Sequence, residues 1–171
     1  MNILAQLVGV VGIAFSLLSF QFSKRKYILL FQMLASLSFS TQLFMVGAVT
    51  GGCLDLISFV RTLIFANNSK GWAKSKWWLY GFLAVMLATG ALTWENAWSI
   101  LPILGSMLST LALWMTKEKH IRLVSLTVGP CWMVYNIVKG AYSGALNEVL
   151  AMASIAIGLF RHDRNKQTCT E

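Results

Sequence analysis

Residues 8–66 and 101–159 align at a constant offset of 93 with no gap, so the chain carries one unit twice. Gly12 meets Gly105, Ser16 meets Ser109, and Lys24 and Lys26 meet Lys117 and Lys119. Gly47-Ala48 meets Gly140-Ala141, Gly51 meets Gly144, and Asp55 meets Glu148. Of the 59 pairs 11 are identical, and the informative ones fall on glycines and on the Lys-x-Lys turn rather than on leucines. Each copy holds three apolar segments and one more lies between them. The layout is therefore three helices, a linker helix, and three helices again. Tandem units of this kind build a substrate site at their interface near the bilayer midplane in several transporter folds.

The apolar character is what makes these segments membrane spans. The chain is 57% hydrophobic and 12% charged, outside the usual balance of a soluble domain. The sequence predicts spans at Ile3–Phe22, Tyr27–Ala48, Gly51–Ala66, Trp77–Leu92, Ala97–Met115, Ile121–Val138 and Tyr142–Phe160. Most reach the length needed for a hydrocarbon core of about 30 Å. The third and fourth, at 16 residues, need tilt or local thinning. Long unalternating apolar runs point to helices rather than a barrel. The expected fold is an all-α membrane protein forming one domain over residues 1–171. Repeat one covers about 3–66, the linker helix 77–92, repeat two about 97–160, and a polar tail 161–171.

Charge sets the orientation. Seven spans put 13 of the 14 basic residues on one side and Lys139 alone on the other, counting Arg61 as snorkelling from the end of span three. Basic residues favour the cytoplasm, which places the N-terminus in the periplasm and the C-terminus in the cytoplasm. The net charge of +8 is then topological and not a nucleic-acid footprint, because the basic residues sit in short turns. The first apolar stretch lacks a basic n-region and a small-residue cleavage site, and its repeat partner is a span, so it is not a signal peptide. Three cysteines, Cys53, Cys131 and Cys169, form no C-x-x-C pair and suggest neither a disulfide nor a metal site. His120 and His162 are isolated from carboxylates in sequence. Trp72, Trp77 and Trp78 at one level, and Trp94 and Trp98 at the other, read as an aromatic belt.

A few polar groups remain at membrane depth. Asp55 and Glu148 occupy matching positions in spans three and seven, where an ionised carboxylate is costly. One reading makes them helix-capping acids near the outer surface. The other makes them a pair guarding the outer mouth of a pathway. In span six, Pro130 interrupts the backbone ladder, and Trp132 and Asn136 share a helical face with Tyr135 beside them. An aromatic platform next to an amide suits a neutral polar ring; the alternative is interhelical glue. Gln42 and Ser58 are the facing polar residues of the first unit. The expected site is therefore Gln42, Ser58, Trp132, Tyr135 and Asn136, with Asp55 and Glu148 as pathway acids. It has no catalytic residue, metal or cofactor.

These residues resemble a known family. Phe44–Phe65, with its Gly47-Ala48-x-Thr50-Gly51 turn and Arg61-Thr62-Leu63, is similar to the bacterial inner-membrane proteins typified by YgjV. So is Cys131-Trp132-x-x-Tyr135-Asn136 followed by Gly140, Gly144 and Glu148, with Tyr135 standing where the pattern has His. The resemblance covers nearly the whole chain and implies a bacterial inner-membrane location but no reaction. The three-one-three layout is also similar to that of SWEET sugar transporters, PnuC vitamin transporters and KDEL receptors. The chain departs from that pattern: its two prolines, Pro102 and Pro130, both lie in the second copy, and the proline-glutamine signature is absent. Fold analogy implies a carrier of a small polar solute, moved by rocking one three-helix unit against the other, and the two acids favour a neutral or cationic solute. The alternative is a non-transporting receptor or structural partner of the same fold. Enzyme action is not expected, for the sequence has no Ser/His/Asp set, metal-ligand cluster at depth or phosphate loop. The expected partners are the lipid bilayer and a small solute.

Overall fold

The computed structural model describes residues 3–22, 25–66, 75–115 and 118–167. They form seven helices: α1 (Ile3–Gln21), α2 (Arg25–Met45), α3 (Val49–Ala66), α4 (Lys76–Leu92), α5 (Ile100–Trp114), α6 (Glu118–Lys139) and α7 (Tyr142–Gln167). A 3-10 turn, Ala97–Ser99, leads into α5, capped by reciprocal hydrogen bonds between Asn96 and Ser99. Number and order match the sequence expectation. Pro130 does not break α6, which runs through it with the proline on the exposed side. The lysine-rich turns at 24, 70, 74 and 117, together with Trp72 and Cys169, lie outside the described residues.

Packing follows the chain. In the first half α2 lies against α1 and α3; in the second, α6 lies against α5 and α7. The halves meet where α1 touches α7 and where α3 touches α5. Thr50 bonds Ser99 and Arg61 bonds Thr110, both pairs 49 residues apart, so α3 and α5 run parallel and in register. The linker α4 does more than connect. It packs on α3 and α5, burying Leu79, Phe82 and Met86, while Gly90 lets Ile103 approach closely.

The turns 46–48 and 139–141 have the same construction. Gly47 and Gly140 sit at φ 75° and 74°, the left-handed region that favours glycine. Ala48 N–H donates to Leu43 O and Ala141 N–H to Asn136 O, each at 2.8 Å. Both alanines are fully buried. Gly12 faces Phe39 and Gly105 faces Trp132, the same pairing 93 residues apart, and a Cβ would lie 3.0 Å from the Phe39 ring at Gly12 and 2.8 Å from the Trp132 ring at Gly105.

Many polar residues are buried beside the apolar core, and large aliphatic residues face outward. Ser19, Ser40, Gln42, Thr50, Ser106, Thr110 and Asn136 are buried, whereas α1 turns Ile3, Leu4, Leu7, Val10 and Val11 outward. Small and polar residues inside with aliphatic residues outside is the distribution that hydrocarbon surroundings select. An apolar cluster of Leu43, Leu54, Met86, Ile103, Trp132 and Tyr135 holds the two halves and α4 together. Among the described residues no helix is long and apolar enough to cross a membrane. The shorter elements account for part of this: α4 has 17 residues and α5 has 15, where about 20 would cross the hydrocarbon core.

Candidate functional site

One end of the bundle, formed by the turns 46–48, 93–99 and 139–141, is closed by two polar clasps. In the first, Gln6 Nε2 of α1 donates to Gly140 O at 2.7 Å. Gln42 Nε2 of α2 donates to Ser143 Oγ at 2.6 Å, and Ser143 N–H donates to Gln6 Oε1 at 3.1 Å. The second clasp joins α3, α6 and the start of α5. Gly51 N–H donates to the Tyr135 hydroxyl at 3.1 Å, and Thr50 Oγ1 bonds Ser99 Oγ at 3.4 Å. Gln6, Gln42 and Ser143 are the counterparts, 93 residues removed, of Ser99, Tyr135 and Thr50. Each clasp therefore pins the third helix of one half to the first two helices of the other.

Glu95 and Lys139 reinforce the second clasp with an ion pair, and Glu95 Oε1 accepts from Thr50 N–H at 3.0 Å. Partial burial would push the Glu95 carboxyl up. The Lys139 ammonium and the hydrogen bonds from Lys139 and Thr50 outweigh it and hold the group below the usual carboxylate range. The ammonium also sits 5.9 Å from the centre of the Tyr135 ring. Lys139, the lone basic residue expected on this side, is thus tied into the closure.

Beneath the clasps lies a cavity of about 360 Å³. Every helix except α4 lines it, so it belongs to both halves. Its walls extend from the level of Gln42 and Gly144 to that of Gln32, Ala112 and Val128, towards the opposite end of the bundle. Asp55 and Glu148, each the seventh residue of its helix, face it and are half-buried. They lie below the clasps rather than at an outer mouth. Trp132 contributes an aromatic wall, braced by an edge-on contact with Tyr135 at 6.2 Å. Asn136 lies one turn away, 5% exposed, and its Oδ1 has no hydrogen-bond partner. Gln42 borders the cavity too, its Oε1 likewise unpartnered.

Five of the seven residues singled out by sequence therefore share this cavity: Gln42, Trp132, Asn136, Asp55 and Glu148. Two do not. Tyr135 is fully buried, its hydroxyl serving as acceptor for Gly51, and Ser58 is buried in α3 away from the lining.

The largest correction concerns Arg61. Its expected role was to snorkel to the cytoplasmic surface, but it is 5% exposed and lines the cavity. Its Nη1 donates to Ser109 Oγ at 2.9 Å, to Thr110 Oγ1, and to Ser106 O at 3.4 Å, all on α5. Serines and threonines one turn apart on a parallel helix form an acceptor row at the level the guanidinium reaches. Position 61 within a helix starting at 49, facing a Ser-x-x-Ser-Thr run on α5, was the available signal. Without Arg61, the sequence expectation of 13 basic residues on one side becomes twelve.

Comparison with known families matches residues 3–166 to Imp-YgjV, described as a bacterial inner membrane protein. The chain is similar to inner membrane protein YgjV of Escherichia coli (strain K12), with 26% identity over 105 residues. That stretch is 61% of this chain and 55% of the other, so the match spans about half the relative's length. No solved structure matches. The chain belongs to the Imp-YgjV family of bacterial inner membrane proteins.

Proposed function

We propose that this protein is a carrier for a small polar solute, which binds between two parallel three-helix units and passes as they rock against each other. The observation that carries this reading is the cavity itself. It is shared by both halves, lined by charged and amide groups, and of a size that holds a small molecule. A bundle that needed only to pack would not keep two carboxyls, an arginine and an unpartnered amide around an open space, because each costs desolvation. The outward-facing aliphatic residues and the buried polar ones support insertion of the whole bundle in the inner membrane, its short helices met by tilt or local thinning. With the positive-inside orientation, the clasped end faces the periplasm and the cavity runs towards the cytoplasm. The conformation described here is then the inward-facing one, and opening both clasps would give the outward-facing one. Parallel repeats related by an axis along the membrane normal are also the plan of SWEET carriers.

Counterflow into proteoliposomes, run across sugars, polyols, nucleosides, amines and amino acids, tests the proposal. One class should exchange faster than in protein-free vesicles. Bridging cysteines placed at Gln6 and Ser143 should stop that exchange, and reduction should restore it. A solute that binds the purified protein yet never crosses, with the clasp bridged or free, would favour the non-transporting receptor reading.

A further inference from the structure

The ionisable groups facing the cavity are two carboxyls and one guanidinium, and no direct ion pair joins them among the described residues. Asp55 and Arg61 are six residues apart on α3, about 9 Å in helical rise, outside the spacing at which side chains on one helix meet. No ion pair within bonding distance joins either acid to Arg61 among the described residues. The guanidinium is fixed from one side only. Nη1 is held by Ser106, Ser109 and Thr110, while Nε is buried without a partner and Nη2 bonds no described residue. Nε and Nη2 together form the edge that accepts a carboxylate through two parallel hydrogen bonds. The α5 row therefore leaves unused the edge best suited to a carboxylate.

We propose that the solute is a small zwitterion, its carboxylate on the free edge of Arg61 and its ammonium between Asp55 and Glu148. This rests on the carrier reading and narrows it. A neutral solute would leave the guanidinium edge without the carboxylate it suits. A simple cation would leave the guanidinium edge empty, and a simple anion would meet two carboxyls. A zwitterion whose charges are separated by a few carbon atoms spans two oppositely charged groups with one hydrogen bond of about 2.9 Å at each end. The cavity of about 360 Å³ holds a solute of that size beside the Trp132 ring, with the unpartnered Asn136 Oδ1 available to an ammonium N–H. The acids alone suggested a neutral or cationic solute. Arg61 adds the carboxylate.

The test uses the full-length purified protein and three probe sets: L-amino acids with glycine betaine, the corresponding amides, and the corresponding acids lacking the amine. At least one zwitterion should raise the melting temperature of the wild type. Its amide and its amine-free acid should each bind at least about tenfold more weakly, the size expected from losing a charge-assisted pair. This ladder needs no variant. Arg61→Lys keeps the charge without the fork and should weaken the zwitterion while leaving its amide unchanged. Equal binding of zwitterion and amide would overturn the proposal. So would silence from every zwitterion while a sugar or amine exchanges in the counterflow assay, but the carrier reading would stand. If no probe class binds and none is transported, both readings fall together.

Discussion

Gly51→Ala should destabilise the bundle by about 2–4 kcal/mol, combining about 1–3 for overpacking with about 1 for a lost hydrogen bond. A Cβ at Gly51 would lie 2.5 Å from Tyr135 Cε1. The ring has nowhere to go, being fully buried, edge-on to Trp132 and hydrogen-bonded to the Gly51 amide itself. Thermal melts of purified protein measure the loss. Tyr135→Leu in the same background should recover part of it by removing the ring that clashes. Gly81→Ala is the control: a Cβ there meets nothing within 4 Å, and the helix should gain slightly. Equal melting of both alanine variants would show that the contact between the halves is looser than described.

Trp132→Ala should reduce uptake at least tenfold, on the scale at which about 1.4 kcal/mol of lost binding is one decade. Trp132 is also structural, since it packs into the space left by Gly105, and truncation of a buried Trp costs about 3–5 kcal/mol of stability. Trp132→Phe separates the two roles. Its counterpart Phe39 fills the same place against Gly12, so phenylalanine fits the fold. It lacks the larger face and the indole N–H, and should weaken solute binding several-fold while the protein melts near the wild-type temperature. Wild-type transport by both variants would mean that the ring touches no solute.

The sequence was most readable where backbone geometry leaves few choices. Gly47 and Gly140 need positive φ, and Gly12 and Gly105 pack closely against a ring, so identities at those positions report shape directly. Asp55 and Glu148 were readable for a different reason: a carboxyl inside an apolar segment needs an aqueous neighbour, and both face the cavity. Arg61 was misread because snorkelling and a buried acceptor row are equal from the standpoint of α3 alone. Only the register of α5, set 49 residues away by the Thr50–Ser99 contact, distinguishes them. Tyr135 was misread in a similar way. Its counterpart Gln42 shows that the position belongs to the clasp, but a tyrosine and a glutamine share no sequence signature for that job. The closure of one end was unreadable, because it depends on Gln6, Thr50, Ser99 and Ser143, ordinary polar residues that acquire a role only when the halves meet.

The measurement closest to the central claim is thiol labelling of Ser109→Cys in a protein whose native cysteines are replaced. Ser109 lines the cavity, and Leu30, 42% exposed on the outside of α2, gives a lipid-facing control as Leu30→Cys. In inside-out vesicles a charged, impermeant thiol reagent should modify Ser109→Cys and spare Leu30→Cys, because only the cavity carries water to that depth. In right-side-out vesicles, with the clasps closed, labelling of Ser109→Cys should be much slower. A Ser109→Cys protein as unreactive as the Leu30→Cys control from both sides would contradict a hydrated cavity between the two halves, and the carrier reading with it.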